Sequence, residues 1–341
     1  MPGKNLHQEP FSEETITKLD IFERYLEKWL PVFIQAPHWK TVNICDFFAG
    51  PGEDSVGQLG SPLRFLHVIH KYKKAINEQG LQVNLLLNEY EGPKFTILEG
   101  VVAEHLQRLP ELQEHLKVEC TNRDFKELFS EKRPTLAGTP NLIFLDQNGV
   151  KQTTETVFLD LVGLPQTDFL FFISSSSFRR FAEHPSFKEH FPDLDPARIR
   201  DARYEDIHRV VLDYYEAKLP PGNSTRLYPF SIKKGANIYG LVFGTGHFRG
   251  AEKFLEIAWN KNRLNGEANF DIDDDAAKAQ KVLFPQYERP TKLQRFKREL
   301  KEFILEGHQI TNKDVYIYAL EHGHLPSHAG EVVKRLKKEG K

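Results

Sequence analysis

Apolar residues along this chain follow two alternating patterns. Short apolar runs, typical of buried strands, alternate with longer segments in which apolar residues recur every three or four positions, as in amphipathic helices. The short runs predict strands at 42–48, 83–88, 116–121, 141–146 and 168–174, then a hairpin at 227–232 and 238–243. The longer segments predict helices at 12–35, 61–79, 93–109, 153–162, near 203–218 and 249–264. This alternation predicts an α/β fold with a mostly parallel sheet and helices on both faces.

The pattern changes toward the C-terminal end. Residues 265–290 are polar and rich in aspartate, which predicts an acidic linker between a domain at 1–264 and a smaller module at 291–341. Three short amphipathic segments follow, at 291–305, 311–322 and 326–339. We therefore expect a small helix-turn-helix or winged-helix domain, and we expect the helix at 12–35 to pack on the larger domain.

Charge is divided unevenly between these two parts. The chain has a formal net charge of −2, but residues 291–341 hold 11 Lys and Arg against 7 Asp and Glu, a local excess of +4. A basic module predicts an acidic partner, of which nucleic acid is the usual one. The candidate phosphate contacts are Lys334, Arg335, Lys337 and Lys338, late in the third predicted helix.

Other features of the composition restrict the class of protein. The two cysteines, Cys45 and Cys120, form no C-x-x-C pair, so we expect neither a disulfide framework nor a zinc knuckle. The sequence shows no signal peptide and no apolar run of membrane-spanning length. These features predict a cytoplasmic protein without a membrane partner.

The most informative stretch joins the first predicted strand to the next helix and reads Asp46-Phe47-Phe48-Ala49-Gly50-Pro51-Gly52. Glycines allow the backbone to take positive φ and to approach a ligand closely. An acid at a strand end lies in the crevice where open α/β sheets bind ligands. A dinucleotide fingerprint is not favoured, because it needs three glycines and a helix that begins directly on the pyrophosphate.

This string resembles the first motif of class I S-adenosylmethionine (SAM)-dependent methyltransferases, which have a Rossmann-like sheet. The resemblance implies that SAM contacts Asp46, Phe48, Ala49, Gly50 and Gly52. Glu53 and Asp54 follow at once, and their charge suits a cationic sulfonium better than a pyrophosphate. The alternative to a SAM site is an ordinary strand-turn-helix in another kind of α/β protein.

Further acids follow the next strands. Glu89 ends the second strand, where such enzymes hold the ribose hydroxyls, and Asp124 follows the third, where a polar group meets the adenine. Each residue alone could equally be a solvated acid at a strand end. Three acids ending three successive strands, with Asp46 as the first, favour a cofactor site.

The fourth strand leads into Asp146-Gln147-Asn148-Gly149. Amino-methyltransferases carry an Asp/Asn/Ser-Pro-Pro-aromatic turn at this position, and Asp146 matches its first residue while the prolines and the aromatic residue are missing. Asp146 and Asn148 are therefore the candidate catalytic residues, and amine methylation is one open possibility. A cytosine-C5 mechanism is excluded because this loop has no nucleophilic cysteine.

A serine run after the fifth strand has two interpretations. Ser174 to Ser177 precede Phe178-Arg179-Arg180-Phe181. The simpler interpretation is a serine-capped helix with a solvated basic face. The functional one is a substrate loop in which arginines contact phosphate and phenylalanines stack on bases.

Taken together, the chain resembles the three-Cys-motif partner family of bacterial proteins. The resemblance rests on Tyr25-Leu26-Glu27-Lys28-Trp29, the glycine loop with Gly60-Ser61-Pro62-Leu63, the segment 145–149, and the C-terminal stretches 311–315 and 336–341. It implies a methyltransferase-like fold, a helical C-terminal module, and a cysteine-rich, radical-SAM-like partner protein. Gln147 departs from the proline that members more often have after the aspartate.

Two functional hypotheses follow. The first is a SAM-dependent methyltransferase that modifies nucleic acid beside a partner protein. The second is a non-catalytic adaptor, in which a degenerate methyltransferase fold carries a winged helix that binds DNA or a partner.

Overall fold

A mixed sheet of seven strands runs through the part of the chain that the computed structural model describes, residues 10–147, 152–235, 237–278, 289–307 and 309–340. The strands are β1 (Thr41–Asp46), β2 (Gln82–Asn88), β3 (Leu116–Thr121), β4 (Asn141–Leu145), β5 (Thr167–Ser174), β6 (Arg226–Lys234) and β7 (Asn237–Thr245). Their order is β3-β2-β1-β4-β5-β7-β6. The first five are parallel, and β7 pairs antiparallel with both β5 and β6. The predicted α/β class with a mostly parallel sheet is confirmed.

Helices connect and cover these strands. They are α1 (Glu13–Ile34), α2 (Ser61–Lys71), α3 (Lys73–Gln79), α4 (Gly92–Gln107), α5 (Phe125–Leu136), α6 (Glu155–Val162), α7 (Ser175–Phe181), α8 (Pro185–His190), α9 (Pro196–Asp201), α10 (Ile207–Ala217), α11 (Phe248–Lys261), α12 (Asp275–Lys278), α13 (Lys292–Glu306), α14 (Asn312–Glu321) and α15 (Pro326–Lys338).

The helices differ from the predicted ones in several places: the short helices α8, α9 and α12 were not predicted, and two further differences have a physical reason. The single helix expected at 61–79 is two helices, because Tyr72 leaves helical geometry at φ −100° and ψ 9°. Helix α5 was not predicted, since its sequence is mostly polar and contains Pro134. The sequence does contain a start signal for α5, because Asp124 is a favourable N-cap residue. In the structure the Asp124 side chain accepts hydrogen bonds from the first turn of α5.

Two hydrophobic cores lie on opposite faces of the sheet. Along β4, Leu142 and Phe144 face the core that α1, α2 and α11 cover, whereas Ile143 and Leu145 face the core under α5, α6 and α10. Successive strand residues point to opposite faces, so a strand buried on both sides needs apolar residues at every position. Burial on both faces of the sheet therefore explains the unbroken apolar runs in the sequence.

A row of polar side chains, most of them buried, crosses the strands near their amino ends. Asn84 Nδ2 donates to Asn43 Oδ1 at 2.9 Å, and Asn43 Nδ2 donates to Asn141 Oδ1 at 2.8 Å. Asn141 Nδ2 continues the row to Thr167 Oγ1 at 2.8 Å. Buried polar groups are costly unless paired, so this row favours one register for four neighbouring strands.

The polar stretch after α11 is packed against the sheet as far as the structure describes it. Ser231 of β6 donates its amide to Glu267 O at 2.6 Å and accepts from the Asn269 amide at 2.9 Å. The Asp273 carboxylate pairs with the Arg209 guanidinium through two bonds of 2.9 Å. Within residues 265–278, the Asp273 side chain and the backbone of Glu267 and Asn269 therefore make tertiary contacts.

The three C-terminal helices enclose a small core of their own, with Phe296 and Leu300 of α13, Val315 and Ala319 of α14, and Ala329, Val332 and Leu336 of α15. This C-terminal module also docks on the larger domain. Trp259 Nε1 of α11 donates to Gly323 O at 2.9 Å, and Tyr316 Oη donates to Glu252 at 2.8 Å. Leu320 of α14 is fully buried within the core of the larger domain.

We predict that two glycine-to-alanine substitutions will have opposite effects on stability. A Cβ at Gly244 of β7 would lie 2.1 Å from Phe169 Cζ, whereas a Cβ at Gly100 of α4 would meet nothing within 4 Å. Gly244→Ala should lower the free energy of unfolding by about 1–3 kcal/mol through overpacking. Gly100→Ala should raise it by up to about 1 kcal/mol through helix propensity. Urea denaturation measures both, and equal midpoints would contradict the prediction.

Candidate functional site

A cavity of about 760 Å³ opens at the carboxyl ends of the central parallel strands. Its size is within the usual range for small-molecule sites. The start of α1, the β1–α2 loop and the ends of β2, β4 and β5 contribute to its wall, together with residues of β6 and β7. Among the residues proposed from the sequence, the wall contains Phe48, Ala49, Gly50, Gly52, Glu89, Asp124 and Asp146.

The glycine loop needs its two glycines for different reasons. Gly50 has φ +65° and Gly52 has φ +91°, a region that favours glycine. A Cβ at Gly52 would also lie 2.7 Å from Val101 Cγ2 of α4. The Gly60 amide closes the loop by donating to Gly52 O at 2.7 Å. The loop therefore presents its backbone to the cavity in one conformation.

Asp46, proposed as a cofactor contact, lies behind this loop and is not part of the cavity wall. Its carboxyl is 1% exposed and accepts hydrogen bonds from Ser61 Oγ at 2.6 Å and from the Phe48 amide at 3.1 Å. Burial raises the pKa of Asp46 to about 7, although the two donors act in the opposite direction. In this structure Asp46 holds the two ends of the glycine loop together.

Asn88, which sequence reasoning missed, joins three strand ends. Its side-chain Nδ2 donates to Phe47 O at 3.2 Å and to Arg123 O at 3.0 Å. Its Oδ1 accepts from Thr121 Oγ1 at 2.8 Å. Asn88 is 1% exposed, so these bonds replace water at a buried position. The only signal in the sequence was an amide just before Glu89.

Glu89 is held at the cavity wall by the backbone. Its Oε1 accepts from the Glu91 amide at 2.7 Å. Burial raises the pKa of Glu89, and hydrogen bonds from the Glu91 and Gly50 amides lower it. Tyr90 follows at the rim with 70% of its surface exposed, an unusual position for a large aromatic side chain.

Asp124 has a structural role in addition to its place on the wall. Its Oδ1 caps α5 by accepting from the Lys126 amide at 2.9 Å and the Glu127 amide at 3.3 Å. The other carboxylate oxygen is not used by that cap. Asp124 is thus on the cavity wall as expected, but its orientation is set by α5.

Asp146 lies at the end of β4 and meets a residue that the sequence did not suggest. Its Oδ2 accepts a hydrogen bond from the ammonium of Lys18 on α1, which also lies 4.8 Å from the centroid of the Phe172 ring. Gln147 is buried and bonded to neighbours, with Nε2 donating to Thr153 Oγ1 and Oε1 accepting from the Gln152 amide at 2.8 Å. The proposed catalytic residue Asn148 lies outside the described residues.

Beyond Asp146 the wall is aromatic and hydroxyl-rich. The Phe172 and Tyr239 rings lie side by side with centroids 6.0 Å apart. The Ser174, Ser176 and Ser177 hydroxyls converge at 3.0–3.1 Å. Ser174 Oγ also caps α7, as the simpler interpretation of the serine run predicted.

The alternative interpretation of 178–181 as a base-stacking loop is not supported at Phe178. That ring is 1% exposed and packs against the Phe187 and Phe191 rings. Phe181 remains 42% exposed.

The charged side chains on the wall are mostly acidic. Two lysines, Lys18 and Lys94, face five acids, and both lysines are ion-paired with members of that set. The acids are Glu14, Glu89, Glu91, Asp124 and Asp146. Such a wall favours a cationic ligand over an anionic one.

The basic residues proposed for nucleic-acid contact lie on α15. Lys334, Lys337 and Lys338 are exposed, while Arg335 Nε pairs with Glu339 at 3.1 Å. Residues three and four apart share a helix face, so the three lysines form one basic patch, which we call the α15 lysine patch. It is directed away from the buried side of α15.

Neither a metal cluster nor a membrane span is present in the described residues. No group of three or more His, Cys, Asp and Glu side chains there could hold a metal ion. In the same residues, no helix has the length and apolar character needed to cross a bilayer.

Comparison with known proteins identifies one segment. Residues 270–341 match the family model of the GMT-like wHTH domain, so the predicted winged-helix character of the C-terminal module is confirmed. The match begins inside the stretch that the sequence suggested as a linker. No curated protein matches the chain.

Proposed function

We propose that this protein is a SAM-dependent methyltransferase that acts on nucleic acid, with the larger domain binding the cofactor and the C-terminal module binding the nucleic acid. The observation that carries the proposal is the glycine loop at the cavity, with Gly50 at φ +65° beside the Glu89 carboxylate. The strand order supports it, because the resemblance to class I methyltransferases implies a parallel sheet closed by a terminal antiparallel hairpin.

The residues on the wall fit SAM. Backbone amides of Glu91 and Gly50 hold the Glu89 carboxylate at the wall, where it would accept hydrogen bonds from the ribose hydroxyls. The exposed Tyr90 ring offers a surface for the adenine. The acidic wall suits the positive sulfonium.

Asp146 is the residue best placed to orient a methyl acceptor. Bound SAM would supply a methyl group carried on a cationic sulfonium. Among the described residues, Oδ2 of Asp146 is bonded to Lys18, and Oδ1 has no hydrogen-bond donor. Oδ1 would accept a hydrogen bond from the amino group of the acceptor and so direct its lone pair toward the methyl carbon. The Phe172 and Tyr239 rings would form the wall beside a planar acceptor.

The GMT-like wHTH match supports the nucleic-acid part of the proposal. Helix-turn-helix domains place their recognition helix against the duplex, and cations on such a helix contact phosphates. In this chain the α15 lysine patch would make those contacts. The cysteine-rich partner protein implied by the resemblance stays a prediction.

One observation favours the adaptor instead. Gln147 stands where the resemblance implies a proline, and both ends of its side chain are bonded internally. An adaptor would bind nucleic acid without binding SAM, so cofactor titration separates the two functions.

We predict that Glu89→Ala will weaken SAM binding roughly 10- to 150-fold, since a charge-assisted hydrogen bond contributes about 1.5–3 kcal/mol. Gly50→Val should weaken it further, because a β-branched residue is strained at positive φ and would enter the cavity. Titration calorimetry with SAM measures both affinities.

The matched control for this prediction is Glu91→Ala. The Glu91 carboxylate is largely exposed and paired with Lys94 at 2.7 Å, so its loss should change affinity less than about fivefold. If wild type binds no SAM, or if Glu89→Ala and Gly50→Val both bind as tightly as wild type, the methyltransferase proposal fails.

We predict that the α15 lysine patch determines the salt dependence of duplex binding. Replacing Lys334, Lys337 or Lys338 by Gln should each reduce the slope of log K against log salt by about 0.9, the value for one phosphate contact. Arg335→Gln should have a smaller effect, because Arg335 is already paired with Glu339. Fluorescence anisotropy with a labelled duplex at several salt concentrations gives the slopes, and a wild-type slope in all three lysine variants would refute this role.

A further inference from the structure

Lys18 connects the first helix to the centre of the cavity. It lies on α1, and its side chain is 12% exposed while that of Asp146 is 25% exposed. The ammonium bonds Asp146 Oδ2 and lies above the Phe172 ring. A long cationic side chain loses rotamer freedom in such a place, so the contacts must offset that loss.

Asp146 of this pair follows the strand next to the buried carboxyl beneath the glycine loop, because β1 and β4 are paired with Asp46 opposite Phe144, two residues before Asp146. Burial is the main cause of the raised pKa of Asp46, which is about 7; the Asp146 carboxylate raises it further and the Lys18 ammonium lowers it. Ser61 Oγ and the Phe48 amide are the hydrogen-bond donors to Asp46.

Other titratable groups also face this region. Glu14 lies one turn before Lys18 on α1, Glu89 ends β2, and Tyr239 lies on β7; all three belong to the cavity wall. The other cation of the wall, Lys94, is paired with Glu91 at 2.7 Å, so none of these groups replaces the ammonium of Lys18.

We propose that Lys18 is a positioning residue of the cavity. It fixes the Asp146 carboxylate through one oxygen, and its positive charge offsets the effect of the Asp146 charge on Asp46. Lys18 thereby couples α1 to the glycine loop. This inference rests on the proposed function, because SAM is the ligand whose binding reports on the loop. Lys18 needs no contact with the ligand to act in this way.

The coupling has a direct consequence for ligand binding. Ionised Asp46 accepts hydrogen bonds from both ends of the loop, and its negative charge favours a cationic ligand. Protonation of Asp46 weakens these hydrogen bonds and removes the negative charge. SAM affinity should therefore be complete above the pKa of Asp46 and should fall as the pH decreases through about 7.

The experiment is a calorimetric SAM titration of the full-length chain between about pH 5.5 and 9, a range that spans the carboxyl pKa raised by burial. In Lys18→Met the Asp146 charge is no longer offset, so the pKa of Asp46 rises and the loss of affinity should begin at a pH about 1 unit higher or more. Lys18→Arg keeps the charge and should behave as wild type. In Lys18→Met/Asp146→Asn both charges are absent, and the midpoint should return toward that of wild type.

Two further variants complete the design. Lys28→Met removes another ion-paired lysine of α1, but its partner is Glu256 on α11, outside the cavity wall, so the midpoint should not move. Asp46→Asn removes the titrating group, and its profile should be flat near neutral pH. If Lys18→Met does not fold, as judged by circular dichroism, Lys18→Gln takes its place.

The outcomes separate this inference from the proposed function. Absence of SAM binding by wild type at every pH sinks the proposed function, and the inference with it. Binding by wild type with the same midpoint in Lys18→Met overturns the role of Lys18 and leaves the proposed function standing. A midpoint that moves in Lys18→Met and returns in the double variant supports the coupling, because loss of a merely structural contact would not be reversed by a second deletion.

Discussion

The site depends on one buried carboxyl. Asp46, at the carboxyl end of β1, accepts from the Phe48 amide at the start of the glycine loop and from Ser61 Oγ at its end. A carboxyl without water is costly unless its oxygens are bonded, so the loop must keep both donors in place. The positive φ of Gly50 and Gly52 lets the backbone turn between these two donors.

Helix α1 is part of the site as well as of the core. Leu26 and Leu30 are fully buried against the sheet, whereas Lys18 faces the cavity and bonds Asp146. The helix therefore makes packing and cavity chemistry interdependent: its apolar face determines where its one cavity-facing lysine lies.

The two domains divide the charge between them. The cavity wall is mostly acidic and suits a cation, while the α15 lysine patch suits phosphate. The docking contacts of Trp259 with Gly323 and of Tyr316 with Glu252 hold the two regions in a defined relation. The acidic cavity wall would repel the phosphates of a polyanion held by the C-terminal module. Only an uncharged or cationic group of that polyanion would be favoured inside the cavity.

The sequence by itself determined the alternation of strands and helices, the glycine loop and the three C-terminal helices, because hydrophobic period and glycine placement are local properties of the chain. It also indicated Glu89, whose position follows from the end of a strand. Tertiary structure alone decided that Asp46 lies behind the loop, that Asn88 joins three strand ends and that Lys18 reaches Asp146. These contacts join residues distant in sequence, up to 128 positions apart for Lys18 and Asp146, and no periodic pattern records which distant side chains meet.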